Sequence, residues 1–490
     1  MAAIITEKFR THNAKQFIED FSESGQSNYV FIGRPHAWSD DTSPPAPANS
    51  ELEEIQAYED MIALKKVSST DISHGLVRYN WTTGTKYDEW RHNYSSSNTT
   101  NVTNVSNFYD GRGYVITDEF KVYKCLKTGM SGGSTVNSTV KPTHTSIAVE
   151  SDGYMWKFMY SVIASDVIKF VTNDFIPVKT LGAKSAVAGS GTNGGYGTTA
   201  TNDGSAQWDV ESTAVDGAIY HYVVTAAGSG YQNDASATTF TLNVAVEGDG
   251  SGAEATLSFA SGALSSVVFK DASSYGTGYK RASFPTLNST LSGLSQGSGA
   301  SITPIISPIN GHGANPIEEL GGNYCIVNSR LEFGEGSGDF PVDNDFRRIG
   351  LIKNPVQSSD SAIATGASMT ATNQLTVASD TNISVDDILT DAASESATTA
   401  KVRVVSKKGS NVITTLPIVN SGGEYVAFAN SDEVFVNGAG TKSTDVTGSG
   451  VSSAHPEMTR FTGQILYVEN RGAVTRAADQ IEDIKLIIEM

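Results

Sequence analysis

Cysteine is nearly absent: only Cys125 and Cys325 occur in 490 residues. A disulfide-stapled secreted scaffold would carry many more, so two buried free thiols are expected. Charge is also sparse and one-sided. Lys and Arg total 34 against 53 Asp and Glu, a net charge of −19. Nucleic-acid binding needs clustered cations and is disfavoured, as is an anionic membrane surface. No apolar run approaches the ~18 residues of a membrane span. The opening MAAIITEKFRTHNAKQF lacks the apolar stretch of about 7–15 residues that a secretory signal needs. The triplet of N-x-[ST] sequons in NTTNVTNVS (98–106), with further ones at Asn80, Asn93, Asn137, Asn288 and Asn382, is therefore read as a polar, exposed loop and not as sugar attachment.

Motifs of metal and nucleophile chemistry are missing too. The histidines (12, 36, 74, 92, 144, 221, 312, 455) are dispersed, and no HExxH, CxxC or G-x-S-x-G occurs. KTGMSGGST (127–135) has its lysine ahead of the glycines, the wrong order for a phosphate loop, and is read as a β loop. GEGSGDFPVDND (334–345) gathers Glu335, Asp339, Asp343 and Asp345 without calcium-loop spacing, and reads as solvated. GDGSGAEA (248–255) is a single glycine motif where a calcium roll needs repetition. The aromatic run YMWKFMY (154–160) is a sugar platform or, more simply, a strand buried on both faces. Nothing singles out a catalytic residue, metal ligand or cofactor, so no enzymatic activity is expected.

What is abundant is glycine, 47 residues, together with Ser and Thr. That texture predicts a mainly β protein with many turns and a few short helices. One helix is expected within THNAKQFIEDFSES, with Ala14, Phe17, Ile18 and Phe21 on one face and Thr11 or Asn13 as cap. A second is expected over ELEEIQAYEDMIALKKV, with Leu52, Ile55, Met61 and Ile62 as its face, and a short third near 165–171. Strands are expected at 27–34, 76–81, 114–126 and 153–162. The closing segment reads as strand, turn, strand, with E-N-R-G at Glu469–Gly472 as turn residues.

Two blocks differ in composition. Within about 182–310 a repeat appears: Gly228-Ser-Gly-Tyr231 then Gly250-Ser-Gly-Ala253, followed by Gly276-Thr-Gly-Tyr279 then Gly297-Ser-Gly-Ala300. Such a period marks one β unit packed on the next. The second block, 357–453, suggests another small β domain. The expected organisation is a discontinuous α+β body (1–181, 311–356, 454–490) carrying two inserted β-sandwich or barrel-like modules (182–310 and 357–453).

Several body segments together resemble a known family. They are Lys8-Phe9-Arg10-Thr11, Gly33-Arg34, Trp38-Ser39, VYKCL (122–126) and Asp152-Gly153-Tyr154 with Trp156. FRRIGLIKNP (346–355) and a closing block of Gly463, Tyr467, Glu469-Asn470-Arg471, Asp479-Gln480 and Glu482 complete the set. In this order they resemble the baseplate wedge protein of T-even-like contractile-tailed phages, in which the KFRT segment is expected as a strand. The resemblance covers the body and leaves the two glycine-rich modules without a counterpart. It implies a structural virion component of the tail baseplate, assembled in a bacterial cytoplasm, homodimeric within each wedge and contacting other wedge proteins around the tail hub. It brings no catalytic residue, metal or cofactor, and no nucleic-acid or membrane partner. Arg471, with Asn470 beside it, is the candidate partner contact. The alternatives are a carbohydrate-binding tail adhesin and a glycosidase, which would need two carboxylates facing each other in a cleft.

Overall fold

The computed structural model describes residues 3–131, 133–181, 205–332, 340–394, 399–477 and 480–490. Strands hold 42% of the chain and helices 11%, so the expected mainly β class with few short helices is what forms. Both cysteines are free and buried.

The helices depart from expectation at their ends. The first runs Glu7–Glu19 and starts before Thr11, because Thr6 caps it: the Phe9 N–H donates to Thr6 Oγ1 at 3.3 Å. Thr11 and Ala14 are its buried residues, and KFRT is helical, not a strand. The second helix stops early, at Glu51–Asp60. Ser50 caps it by accepting from Glu53 N, and the three acids of the first turn suit the positive end of its dipole. MIALKKV is not its continuation but a strand, Met61–Val67. A continuous apolar run fits either state, and here Met61 to Leu64 are fully buried as sheet core. Consequently Leu52 and Ile55 stay exposed, and Ala57 is the buried helical residue. The third helix forms as expected, at Ala164–Phe170.

The described chain divides into two compact units. In the unit made of Gln16–Ile72 and Val327–Leu486, a five-stranded sheet has the order Ser368–Thr370, Met61–Val67, Asn28–Gly33, Asn344–Lys353, Gln464–Arg476. Tyr29, Phe31, Met61, Leu64, Ile352 and Met369 form its core beneath Ala57. Asn28–Gly33 is buried at every position, as befits a central strand covered on both faces. The same unit holds a closed antiparallel barrel, in the order Asn373–Val377, Val412–Pro417, Lys401–Gly409, Ile388–Thr390, Glu433–Val436, Thr444–Val451. Leu375, Val377, Val402, Val404, Ile413 and Val446 point inward, the alternation a filled small barrel requires.

The other unit comprises Met1–Lys15, Ser73–Ile326 and Ile487–Met490. One sheet orders Tyr114–Ile116, Lys121–Lys127, Met155–Ser161 and Ile147–Val149. Within the same unit the glycine repeat folds in an unexpected way. Strand Ile219–Gln232 pairs with Gln296–Ile306, while Ser251–Ala260 pairs with Phe240–Ala245, Ala263–Phe269 and Tyr275–Thr277. Each tyrosine of one repeat sits on the Gly-Ser-Gly-Ala of the other. The Tyr231 hydroxyl accepts from Ala300 N at 3.0 Å and donates to Leu287 O at 3.1 Å. The Tyr279 hydroxyl accepts from Ala253 N at 3.4 Å. A Cβ on Gly297 would lie 2.3 Å from the Tyr231 ring, and one on Gly250 would lie 2.4 Å from the Tyr279 ring. The two copies are thus locked by exchange and not merely stacked. Both tyrosines are buried in one core with Phe259, Leu257 and Val244.

This exchange generates a test. Gly297→Ala forces a methyl into the Tyr231 ring and should destabilise this region by about 1–3 kcal/mol. Tyr231→Phe removes two hydrogen bonds and should cost about 1–2 kcal/mol. Hydrogen exchange at strands 219–232 and 296–306, measured together, should report both losses; unchanged protection in either variant would contradict the lock.

Candidate functional site

Three of the family-like segments, Gly33-Arg34 with Trp38, FRRIGLIKNP and the closing Glu469-Asn470-Arg471, lie far apart in sequence and meet around two consecutive arginines of the strand Asn344–Lys353. Lys8–Thr11, VYKCL and Asp152–Trp156 belong to the other unit. Neighbouring strand residues point to opposite faces, so Arg347 and Arg348 reach different acids. Arg348 is fully buried. Its Nη2 donates to Glu53 Oε1 at 2.6 Å, its Nη1 to Asp60 Oδ2 at 3.3 Å and its Nε to Asn470 Oδ1 at 2.9 Å. Arg347 forks onto Asp41, with Nε to Oδ1 at 3.0 Å and Nη2 to Oδ2 at 2.8 Å. It also reaches Asp345 at 2.8 Å and the Pro35 carbonyl. Arg34 lies flat over Trp38 at 3.5 Å and contacts Asp60 at 3.4 Å. The Trp38 backbone N–H donates to Asp41, and its indole N–H donates to the Arg471 carbonyl at 2.9 Å. Gly33-Arg34, Trp38, Arg347-Arg348 and Asn470-Arg471 are therefore one constellation. Its electrostatics follow from burial: Asp60 has its pKa raised by desolvation, an effect that Arg348 and Arg34 oppose. Asp41, partly exposed, is held below the usual carboxylate range chiefly by its hydrogen bonds from Arg347.

The candidate pair Asn470 and Arg471 separates here. Asn470 is half-buried and fully engaged, with its amide also donating to Pro45 O and Glu53 Oε1 at 3.3 Å each. Arg471 has an exposed side chain, 3.9 Å from Glu469. E-N-R-G is not a turn. It continues the strand Gln464–Arg476 through a bulge, in which Arg348 faces Asn470 and Phe346 faces Val474. Turn propensity yields because Asn470 is needed as the acceptor for a buried guanidinium. Gln480 and Glu482 lie beyond that strand, where Glu482 pairs with the buried Arg476 at 3.0 Å. Asp479 falls outside the described residues.

In the other unit two buried acids organise loops that the sequence left unexplained. Asp88 accepts from Val102 N at 2.9 Å, Thr103 Oγ1 at 2.7 Å and Arg112 N at 3.0 Å. The sequon stretch is thereby tied down: Thr100 is buried, while Asn101, Asn104 and Ser106 remain exposed. The reading of an exposed loop holds for its tips only. Glu89, next in sequence, accepts from Thr128 N at 2.8 Å and pairs with Arg91 and His221 at 2.6 and 3.3 Å. Burial would raise its pKa, yet His221, Arg91 and the Thr128 N–H lower it overall. KTGMSGGST is a β loop as expected, with Met130–Ser131 paired to Ser134–Thr135.

A third buried group joins Lys124, Glu319 and His312. Glu319 Oε1 takes Lys124 Nζ at 2.7 Å and His312 Nδ1 at 2.6 Å, while Trp90 lies 3.8 Å from the ammonium. Burial, with Lys124 nearby, lowers the His312 pKa to about 4. Glu319 is brought down to about 2, since Lys124 and His312 outweigh its desolvation. This group was not singled out from sequence, where Lys124 looked like an ordinary strand residue. A lysine inside the apolar alternation of VYKCL was the available signal.

Other candidates resolve structurally. YMWKFMY is buried, with Tyr154 and Trp156 stacked at 5.7 Å inside the core, so it presents no sugar platform. Glu335 and Asp339 of the acidic loop lie outside the described residues; Asp345 is engaged by Arg347. In GDGSGAEA, Asp249 accepts from the N–H groups of Lys280 and Arg281. Among the described residues no group of three or more His, Cys, Asp or Glu is placed to hold a metal ion. None of the described helices is long and apolar enough to cross a membrane.

Two tests follow. Arg348→Ala strands Glu53 and Asp60 and should destabilise its unit by about 3–5 kcal/mol, whereas Arg348→Met with Glu53→Gln should recover part of the loss. Denaturant titration of both variants checks this. Both His312 and Glu319 have folded pKa values below their ordinary values of 6.5 and 4.5. The unfolded chain therefore binds more protons than the folded one as pH falls, first at the histidine and then at the glutamate. Stability should drop by about 1–3 kcal/mol on going from pH 7 to pH 4, and His312→Gln should flatten the upper part of that fall. A pH series of unfolding midpoints reads it.

The family model Phage-Gp8, described as Bacteriophage T4, Gp8, matches residues 3–149. That span holds the Gly33-Arg34, Trp38 and VYKCL segments and ends before the two glycine-rich modules. No curated protein matches the chain. The match over residues 3–149, together with several of the resembling segments gathered around Arg347 and Arg348, supports a T4-like baseplate wedge protein with a structural role in the phage baseplate.

Proposed function

We propose that this protein holds wedge subunits together around the tail hub while the baseplate assembles in the host cytoplasm and later contracts. It acts as a homodimer in each wedge and contacts the other wedge proteins. Its body, 1–181, 311–356 and 454–490, is the framework of that role, and the modules 182–310 and 357–453 are insertions that extend its surface. The reading rests on one observation above all. The family-like residues are spent on internal cohesion: every donor nitrogen of Arg348 has an acceptor, and Arg347 is saturated by Asp41, Asp345 and Pro35 O. Such residues give rigidity, which suits a part that transmits load between neighbours. Arg471, exposed on the strand Gln464–Arg476 with its side chain only loosely paired to Glu469, supplies the partner contact, and Asn470 fixes the backbone beneath it.

Sedimentation of the purified chain should give twice the mass of one chain. Arg471→Glu should leave the unfolding midpoint unchanged and weaken either self-association or capture of the other wedge proteins about tenfold, the effect of losing ~1.4 kcal/mol. A monomer at all concentrations would contradict the dimer. An Arg471→Glu chain that assembles normally would remove Arg471 from the interface.

A further inference from the structure

One cavity in the unit of the five-stranded sheet and the barrel is used by nothing described so far. It measures about 250 Å³, large enough for one or two side chains and too small for a secondary-structure element. Arg34, His36 and Arg403 form its polar wall, and Pro417, Val419 and Tyr425 its apolar one.

The polar wall has donors to spare. The Arg34 Nε is buried without a hydrogen-bond partner. Its two other nitrogens reach Asp60 and the Ala37 carbonyl only at 3.4 and 3.5 Å. Arg403 donates to the Asp386 backbone carbonyl at 3.3 Å and stands 3.9 Å from that carboxylate. The acids lining the cavity, in contrast, are engaged. Asp60 is shared by Arg34 and Arg348, and Glu59 accepts from the Tyr425 hydroxyl. His36 is kept neutral by burial and by the neighbouring arginines, with its pKa near 3. A buried guanidinium donor without a partner, as the Arg34 Nε is, carries a cost that an incoming acceptor relieves, and the half-buried Arg403 stands beside it with one long hydrogen bond. Glu59 and Asp60 oppose a doubly charged anion, so a single negative charge fits better than phosphate. Beside the donors, Val419 is 43% exposed and Tyr425 40%, with Phe461 6.1 Å from the Tyr425 ring.

We propose that this cavity docks a carboxylate-bearing peptide segment of a neighbouring baseplate protein. The carboxylate enters between Arg34 and Arg403, and an adjacent aliphatic side chain rests on Val419 and Tyr425. The partner identity rests on the wedge reading above; the carboxylate chemistry does not.

Calorimetric titration of the full chain with acetyl-Leu-Glu-amide, acetyl-Leu-Gln-amide, acetyl-Leu-Leu free acid and inorganic phosphate tests it. The Glu probe or the free acid should bind at least tenfold more tightly than the Gln probe and than phosphate. The stronger of the two tells a side-chain source from a chain terminus. Arg403→Gln and Val419→Asp should each lower that binding at least tenfold with unchanged unfolding midpoints. Equal binding of Glu and Gln probes, phosphate binding as tightly, or indifference to Arg403→Gln would overturn the proposal. If the chain enters wedges but no carboxylate probe binds, this inference fails and the wedge reading stands. If the probes bind as expected and the chain is absent from wedges, the reverse holds.

Discussion

The buried guanidinium of Arg348 is the constraint on which the sheet unit depends. A charge taken out of water must be met by acceptors at fixed positions, because the donors of a guanidinium lie in a rigid plane. Those acceptors come from the first turn of the helix Glu51–Asp60, from its last residue, and from Asn470, 122 residues further along the chain. Meeting them sets where the helix lies on the sheet and holds the bulged register between Asn344–Lys353 and Gln464–Arg476. Trp38 then closes the group, stacking on Arg34 and donating to the Arg471 carbonyl. A constellation in which the donors of Arg347 and Arg348 are met by acceptors of the same chain binds that chain together.

The other unit uses different means to the same end. Asp88 and Glu89, adjacent in sequence, gather loop backbone and cations that apolar packing alone would not order. Lys124 and His312 converge on Glu319 beneath Trp90. The glycine-rich segment relies on reciprocal packing: each repeat supplies the tyrosine for the other's glycines. Neither half can complete its core without the other, which makes the pair cooperative.

How much of this was legible varied with the distance over which the deciding interaction acts. The strand expected at 153–162 and the short helix expected near 165–171 form as Met155–Ser161 and Ala164–Phe170, because there local pattern and burial agree. MIALKKV was misread because an apolar run of that length fits a helix or a strand, and only its pairing with Asn28–Gly33 decides. E-N-R-G was misread because the turn preference of Asn and Gly is local, while the demand of Arg348 for Asn470 comes from a paired strand 122 residues away in sequence. The glycine repeat was visible as a period, but its exchange of tyrosines was not, since each contact joins different copies. The arginine cluster was quoted only through family likeness. Two adjacent arginines within FRRIGLIK, flanked by apolar residues, were the physical signal that buried acids must lie opposite. The cavity beside Arg34 draws on residues from three separated stretches, and no local pattern marks it.

The role proposed above makes this chain a structural part of a phage tail baseplate wedge. Electron cryomicroscopy of assembled particles tests it most directly. The account predicts two copies in each of six wedges around the hub, with the strand Gln464–Arg476 against a neighbouring subunit. Particles whose wedges form without this chain, or the chain recovered only free in solution, would contradict it.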